Sequence, residues 1–382
     1  MEKRKIAIAQ PCTGEEEWLA VREPLETGWL TQGPKVEAFE KAFAERHKVK
    51  YAIATSNCTT GLHLILAASG IGPGDEVIVP SFTWVATANA VLYCGATPVF
   101  CDVDRSTFTM DVHDLAKRIT NKTKAVMPVH LFGLCADMPA IRSILPKNVF
   151  LFEDAACAAG ASLQGIPAGG LSDAAAFSFH PRKSITTGEG GMVTTNNAEI
   201  ATIVSQLRNH GASISEEQRH RGPKPYILAE FNLLGYNYRM TDIQAAVGTV
   251  QLSKLDRFIS EREKWAAYYR ENLSCLSWLR LPALPLNGSH AWQSFVTYVD
   301  PQKAPMPRNN MMEHLQSLGI ATRPGTHAVH ALTYYRNRFG IQPDDFPGAR
   351  DCDANTMAIP LHNRMSLEDY EYVVSSLKSL GN

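Results

Sequence analysis

The sequence contains no C-x-x-C pair, no histidine cluster at zinc-ligand spacing and no apolar run approaching the roughly 20 residues of a membrane span. Its eight cysteines, at positions 12, 58, 94, 101, 135, 157, 275 and 352, are scattered. They read as reduced thiols of a cytoplasmic protein, and neither a disulfide framework nor a metal site is expected. Neither sign of charge is in surplus: 37 Lys and Arg stand against 38 Asp and Glu, a formal net charge of −1. No global field then draws the chain to nucleic acid or to an anionic membrane, so an anionic ligand has to be held by local geometry. No G-x-G-x-x-G turn follows the first strand-like runs, which argues against a dinucleotide fold. The opening MEKRKIAIAQPC is basic, but its apolar stretch is short and meets a proline, so no signal peptide is expected.

The 382 residues, 45% hydrophobic and 20% charged, suffice for one large core and a smaller lobe. The expected division is a large domain over 1–250 and a small C-terminal domain over 251–382. Within the first, β-rich runs alternate with helix-like segments: YAIAT (51–55), EVIVP (76–80), TPVFCDV (97–103), KAVMPVH (124–130), VFLFED (149–154), AAAFSF (174–179) and GMVTT (191–195). Most are apolar on both faces, the pattern of a mainly parallel sheet covered by helices on each side. Helices are predicted from Thr59 to Ser69, stopped by Gly70, and from Met138 to Leu145, stopped by Pro146.

Residues 210–230 are polar with no sustained period and read as a long surface loop. After Met240 a single long amphipathic helix is predicted, with Ile243, Val247, Val250, Leu252, Leu255 and Ile259 on its apolar side. The strand-like FVTYVD (295–300), with helices near 308–318 and 366–379, suggests a small α+β unit at the end of the chain.

In open α/β sheets ligands gather at the carboxyl ends of strands, and the chemically informative residues follow these runs. Lys183 stands in HPRKSITTGEGG, a Ser/Thr/Gly turn before a buried strand. Partial desolvation there would lower its pKa and free the amine to attack an aldehyde; the plainer reading is a solvated surface lysine. Asp154 ends VFLFED beside two alanines, placed either to pair with a pyridinium nitrogen or to cap a helix. Glu153 alternates to the other face and is a weaker candidate. In TSNCTTGLHLIL (55–66) a strand turns into a helix whose first amides, with Thr59 and Thr60, can cradle a phosphate; Ser56 or Asn57 acting as a simple cap explains the same residues. Ser178 offers a further hydroxyl. Trp84, in PSFTWVATANAV (80–91), either stacks on a flat ring or fills the core.

Together with GWLTQGPKVEAFEKAFA (28–44), PVHLFG (128–133), EDAA (153–156), LGYNYRMTDIQAA (234–246) and RPGTHAVH (323–330), these segments make the chain resemble the DegT family of sugar aminotransferases nearly end to end. The resemblance implies a fold-type I enzyme of pyridoxal 5'-phosphate (PLP), α/β, a three-layer sandwich around a mainly parallel mixed sheet with a smaller C-terminal α+β domain. It implies Lys183 as the Schiff-base lysine, Asp154 as partner of the pyridine nitrogen and Trp84 over one ring face. Thr59, Thr60 and Ser178 would hold the phosphate, and Asn237 would reach it from the neighbouring subunit of a homodimer. Two positions depart from the common pattern. Cys58 stands where glycine is frequent, and Cys157, a neighbour of the ring, stands where glutamine or histidine is frequent.

The resemblance further implies transfer of an amino group from L-glutamate to a nucleotide-linked keto-deoxy sugar at carbon 4, in amino-sugar supply of the lipopolysaccharide O-antigen type. A histidine at the position of Lys183 would mark the dehydrating subgroup, so transamination is favoured. Thr31, His180 and Glu189 would meet the substrate. Arg219, His220, Arg221 and Lys224 of the 210–230 loop offer cations for a nucleotide diphosphate, the plainer reading being a solvated loop, and His327 and His330 would bond sugar hydroxyls, the plainer reading being structural histidines. A 3-keto sugar or cyclitol aminotransferase, or a PLP-binding regulator without turnover, are the alternatives. The absence of a DNA-binding extension argues against the last.

Overall fold

The computed structural model describes residues 4–214, 226, 228–285 and 287–381. Its centre is a seven-stranded sheet of β1 (Tyr51–Thr55), β2 (Glu76–Pro80), β3 (Thr97–Cys101), β4 (Thr123–Val126), β5 (Phe150–Asp154), β6 (Ala174–Ser178) and β7 (Gly191–Thr195), in the order β1-β7-β6-β5-β4-β2-β3. Only β7 runs antiparallel to its neighbours β1 and β6; the other pairings are parallel. The carboxyl ends of β1, β2, β5 and β6 therefore share one edge.

Side-chain alternation divides the interior into two cores. Ala174, Ala176 and Val193 face the helix Cys58–Ala68, whose Gly61 lies so close that an added Cβ would come within 3.2 Å of Ala176 Cβ. Ala175, Phe177 and Met192 face the helix Pro34–His47, where Phe43 packs edge-on to Phe177 with ring centroids 5.0 Å apart. Helices thus cover both faces, as strands apolar on each side require. The architecture is the α/β sandwich expected from the sequence.

The segment after Met240 is two helices, Asp242–Ser253 and Leu255–Leu273, where one was expected. At the junction Lys254 N–H donates to Gln251 O, three residues back, at 3.1 Å, and the Lys254 ammonium is held by Glu16 and Glu17. The buried side also differs. Ala245, Ala246 and Gly248 face inward while Ile243, Val247 and Val250 are half-buried. A Cβ at Gly248 would stand 2.8 Å from the Phe39 ring, so small residues permit an approach to the helix Pro34–His47 that larger apolar residues would block. Asp242 accepts from the N–H groups of Gly33 (2.8 Å), Lys35 (3.1 Å) and Val36 (3.0 Å), closing the otherwise uncapped start of that helix.

Toward the C-terminus β8 (Leu279–Arg280), β9 (Phe295–Val299) and β10 (Thr356–Ile359) form an antiparallel sheet with β9 central. The helices Arg308–Ser317 and Leu367–Ser379 lie close to their predicted bounds. Ile6 pairs with Ile320 and is buried in this C-terminal core, so the beginning of the chain packs with its end. Residues His327–Ala328 pair with Phe82–Thr83, carrying a C-terminal segment to the carboxyl edge of the main sheet. Among the described residues no helix is long and apolar enough to cross a membrane.

Candidate active site

Asp154 closes β5 at the carboxyl edge and is 4% exposed. Thr87 Oγ1 donates to its Oδ2 at 2.8 Å and Ala156 N–H to its Oδ1 at 3.1 Å. No α-helix begins there, which removes the capping alternative. Burial raises its pKa above the usual carboxylate range, and Thr87, Ala156, Lys183 and His130 offset this only in part. A buried acid of this kind gains from a cation placed beside it.

Lys183 follows β6 in the turn anchored by its N–H to His180 O, 2.9 Å, and is half-buried. Its amine donates to Cys157 Sγ at 3.2 Å. The expectation of a lowered pKa is corrected: burial works against the ammonium, but Cys157, which accepts its hydrogen bond, and the nearby Asp154 outweigh it and hold the group above the ordinary lysine range. Cys58 is buried, its S–H directed at Ala176 O at 3.5 Å, and burial pushes its thiol far up. All eight cysteines are free.

The turn from β1 into the helix Cys58–Ala68 is capped by Asn57, whose side chain accepts Thr60 N–H at 2.9 Å. Thr60 Oγ1 in turn donates to Asn57 O at 2.8 Å. The Thr60 amide, expected in the phosphate cradle, is thus engaged. The backbone N–H groups of Cys58 and Thr59 have no protein acceptor among the described residues and are the free donors of this helix start. Gly191 lets the cradle lie against β7, for a Cβ there would sit 2.5 Å from the Asn57 carbonyl carbon. Ser178 ends β6, buried, its hydroxyl accepting His180 N–H at 3.4 Å.

Trp84 is not a core residue: it is 61% exposed and its ring tilts against His327, centroids 5.6 Å apart. His330 is corrected in the opposite sense. It is fully buried between Phe100 and Phe346, with Nε2 on Pro343 O at 3.1 Å, so it faces the core and no ligand. Thr31, Glu189, Asn237 and His327 are exposed and His180 is half-buried. Arg219, His220, Arg221 and Lys224 lie outside the described residues.

Sequence reasoning missed Thr87, whose only signal is its place one residue into a helix after the Trp84 turn. It also missed His130, the partner of Glu153, which the sequence offered only as a weaker candidate beside Asp154. Both are fully buried and linked Nε2 to Oε2 at 2.9 Å, directly beside Asp154.

A buried carboxylate, a lysine in its field, a helix start with free amides and an exposed indole converge on one sheet edge. Their donor set fits a phosphorylated pyridine aldehyde, and with this fold it defines a PLP-dependent aminotransferase. The chain belongs to the DegT/DnrJ/EryC1/StrS aminotransferase family, which it matches over residues 11–378. It is 39% identical over 377 residues to a spore coat polysaccharide biosynthesis protein of Bacillus subtilis, covering 98% of this chain and 97% of that protein. It is 39% identical over 376 residues to a GDP-perosamine synthase of Caulobacter vibrioides, with the same coverage of 98% and 97%. Its structure matches a sugar aminotransferase from Streptococcus pneumoniae in the pyridoxamine phosphate form, with a TM-score of 0.92, 28% identity and coverage of 99% of this chain and 98% of the other.

Proposed function

We propose that the chain transfers an amino group from L-glutamate to a nucleotide-linked 4-keto-6-deoxy sugar, placing it on carbon 4. The observation that carries this reading is the amine of Lys183 lying in the field of the buried Asp154, in a chain 39% identical to a GDP-perosamine synthase over 98% of its length.

When bound, PLP supplies an aldehyde that links to amines and a cationic ring that accepts electron density. Lys183 Nζ is the amine that holds the aldehyde, and once released it is the base for the proton on the donor's α-carbon. Asp154 keeps a proton on the ring nitrogen, because a cation beside it relieves the cost of burying its own charge. Thr87 and Ala156 N–H fix the two carboxylate oxygens, so the acid does not rotate away. Trp84 covers one ring face. The Cys58 and Thr59 amides with the Ser178 hydroxyl hold the phosphate, and Asn237 reaches it from the second subunit of a cytoplasmic homodimer. Thr31, His180, Glu189 and His327 orient the sugar, while Arg219 and Arg221 meet the nucleotide diphosphate.

The test is purified protein with glutamate and a panel of nucleotide-linked 4-keto and 3-keto sugars, read by product mass and then by NMR. An amine on carbon 4 supports the reading. An amine on carbon 3 reassigns the position, and no amine on any sugar overturns it.

A further inference from the structure

Among the described residues the Lys183 amine has one hydrogen-bond partner, Cys157 Sγ, at 3.2 Å. The other groups in its field are engaged elsewhere. The Cys58 S–H is turned to Ala176 O, and both Asp154 oxygens accept from Thr87 and Ala156. His180, which also feels the amine, accepts Arg182 N–H on Nδ1 at 3.2 Å. The backbone that carries the sulfur is held in a tight turn in which Ala158 N–H donates to Ala155 O at 2.9 Å, and both alanines are fully buried.

We propose that Cys157 is a positioning residue of the amino-transfer site: its sulfur accepts a hydrogen bond from the Lys183 ε-amine and holds that amine in place when it is not linked to the cofactor. The inference rests on reading Lys183 as the cofactor lysine. A released lysine side chain regains its rotamer freedom and with it loses a defined approach to the reacting carbon. A sulfur acceptor at hydrogen-bond distance restricts that freedom, and the bond is strongest when it is charge-assisted.

The test uses enzyme loaded with pyridoxamine phosphate, which leaves Lys183 unlinked. Labelling of the Lys183 peptide by trinitrobenzenesulfonate is followed by mass spectrometry across the lysine titration range, in the unaltered protein, Cys157→Ala and the size-conserving Cys157→Ser. In Cys157→Ala the labelling midpoint moves to lower pH, giving about a five-fold larger unprotonated fraction below the midpoint, the equivalent of one hydrogen bond lost. Cys157→Ser falls between. Coincident midpoints in all three proteins, or a midpoint moved upward, overturn the proposal. Borohydride reduction of the pyridoxal-loaded proteins tests the underlying reading separately: a reduced adduct at Lys183 with unmoved midpoints sinks the role of Cys157 alone, and no adduct at Lys183 sinks both.

Discussion

The Thr87 hydroxyl donates to Asp154 Oδ2 at 2.8 Å inside a site where the carboxylate is 4% exposed. Thr87→Val keeps the side-chain shape and leaves that oxygen without its donor. Loss of a hydrogen bond to a buried charge costs about 1–3 kcal/mol, so PLP binds more weakly by about five-fold to 150-fold. An absorbance titration of cofactor into stripped protein measures this, and unchanged affinity contradicts it.

Asp154 also sets a pH dependence. Its folded pKa is raised by burial, so above the ordinary carboxylate range the unloaded folded protein binds more protons at this group than the unfolded chain does. The contribution of Asp154 to stability therefore falls as pH rises from the unfolded to the folded pKa. Asp154→Asn removes that loss, raising the melting temperature of the cofactor-free protein near neutrality while abolishing amino transfer. A lower melting temperature for the variant would refute this sign.

Glu153 is the most heavily bonded buried acid near the site. His130 Nε2 and Gly169 N–H donate to Oε2 at 2.9 and 2.6 Å, and Leu171 N–H and Ser172 Oγ both donate to Oε1 at 2.9 Å. His130 Nδ1 accepts Ala136 N–H at 3.1 Å, which fixes the tautomer with hydrogen on Nε2. Glu153→Ala strands four donors in the interior and lowers stability by about 3–5 kcal/mol in urea unfolding. A loss below about 1 kcal/mol, the scale of an exposed pair, would contradict this arrangement.

Burial pulls His47 and His290 down to about 3, and His362 to about 4. These bases are neutral in the folded protein and charge in the unfolded chain near the usual value of about 6.5. Their stability contribution is fully present above that value and is lost as pH falls toward the folded values. Calorimetry then shows the melting temperature falling between neutral pH and about 4, and more shallowly in His47→Gln. An identical acid slope in the variant would remove His47 from this account.

The sheet was legible because β1 to β7 are short apolar runs at α/β spacing, although the runs 97–103 and 124–130 extend past strands that end at Cys101 and Val126. The helix Cys58–Ala68 was legible for the same reason, with Gly70 ending the run. What escaped was polar and long-range. Asp242 caps a helix whose Gly33 lies 209 residues away, and no local period marks such a contact. The inward face of Asp242–Ser253 escaped because alanine and glycine carry the packing while isoleucine and valine sit half-exposed. At the site, Lys183, Asp154 and Trp84 were visible as strand-end residues. The burial of His330 depends on Phe100 and Phe346, which are distant in sequence.

On the reading proposed above, Lys183 is the amine that carries the cofactor. PLP-loaded protein reduced with borohydride, digested and analysed by mass spectrometry is predicted to bear the pyridoxyl group on Lys183. The same treatment of Lys183→Ala yields no adduct, and that variant loses amino transfer by at least about a hundred-fold. A pyridoxyl group on another lysine, or undiminished turnover in Lys183→Ala, would contradict the account.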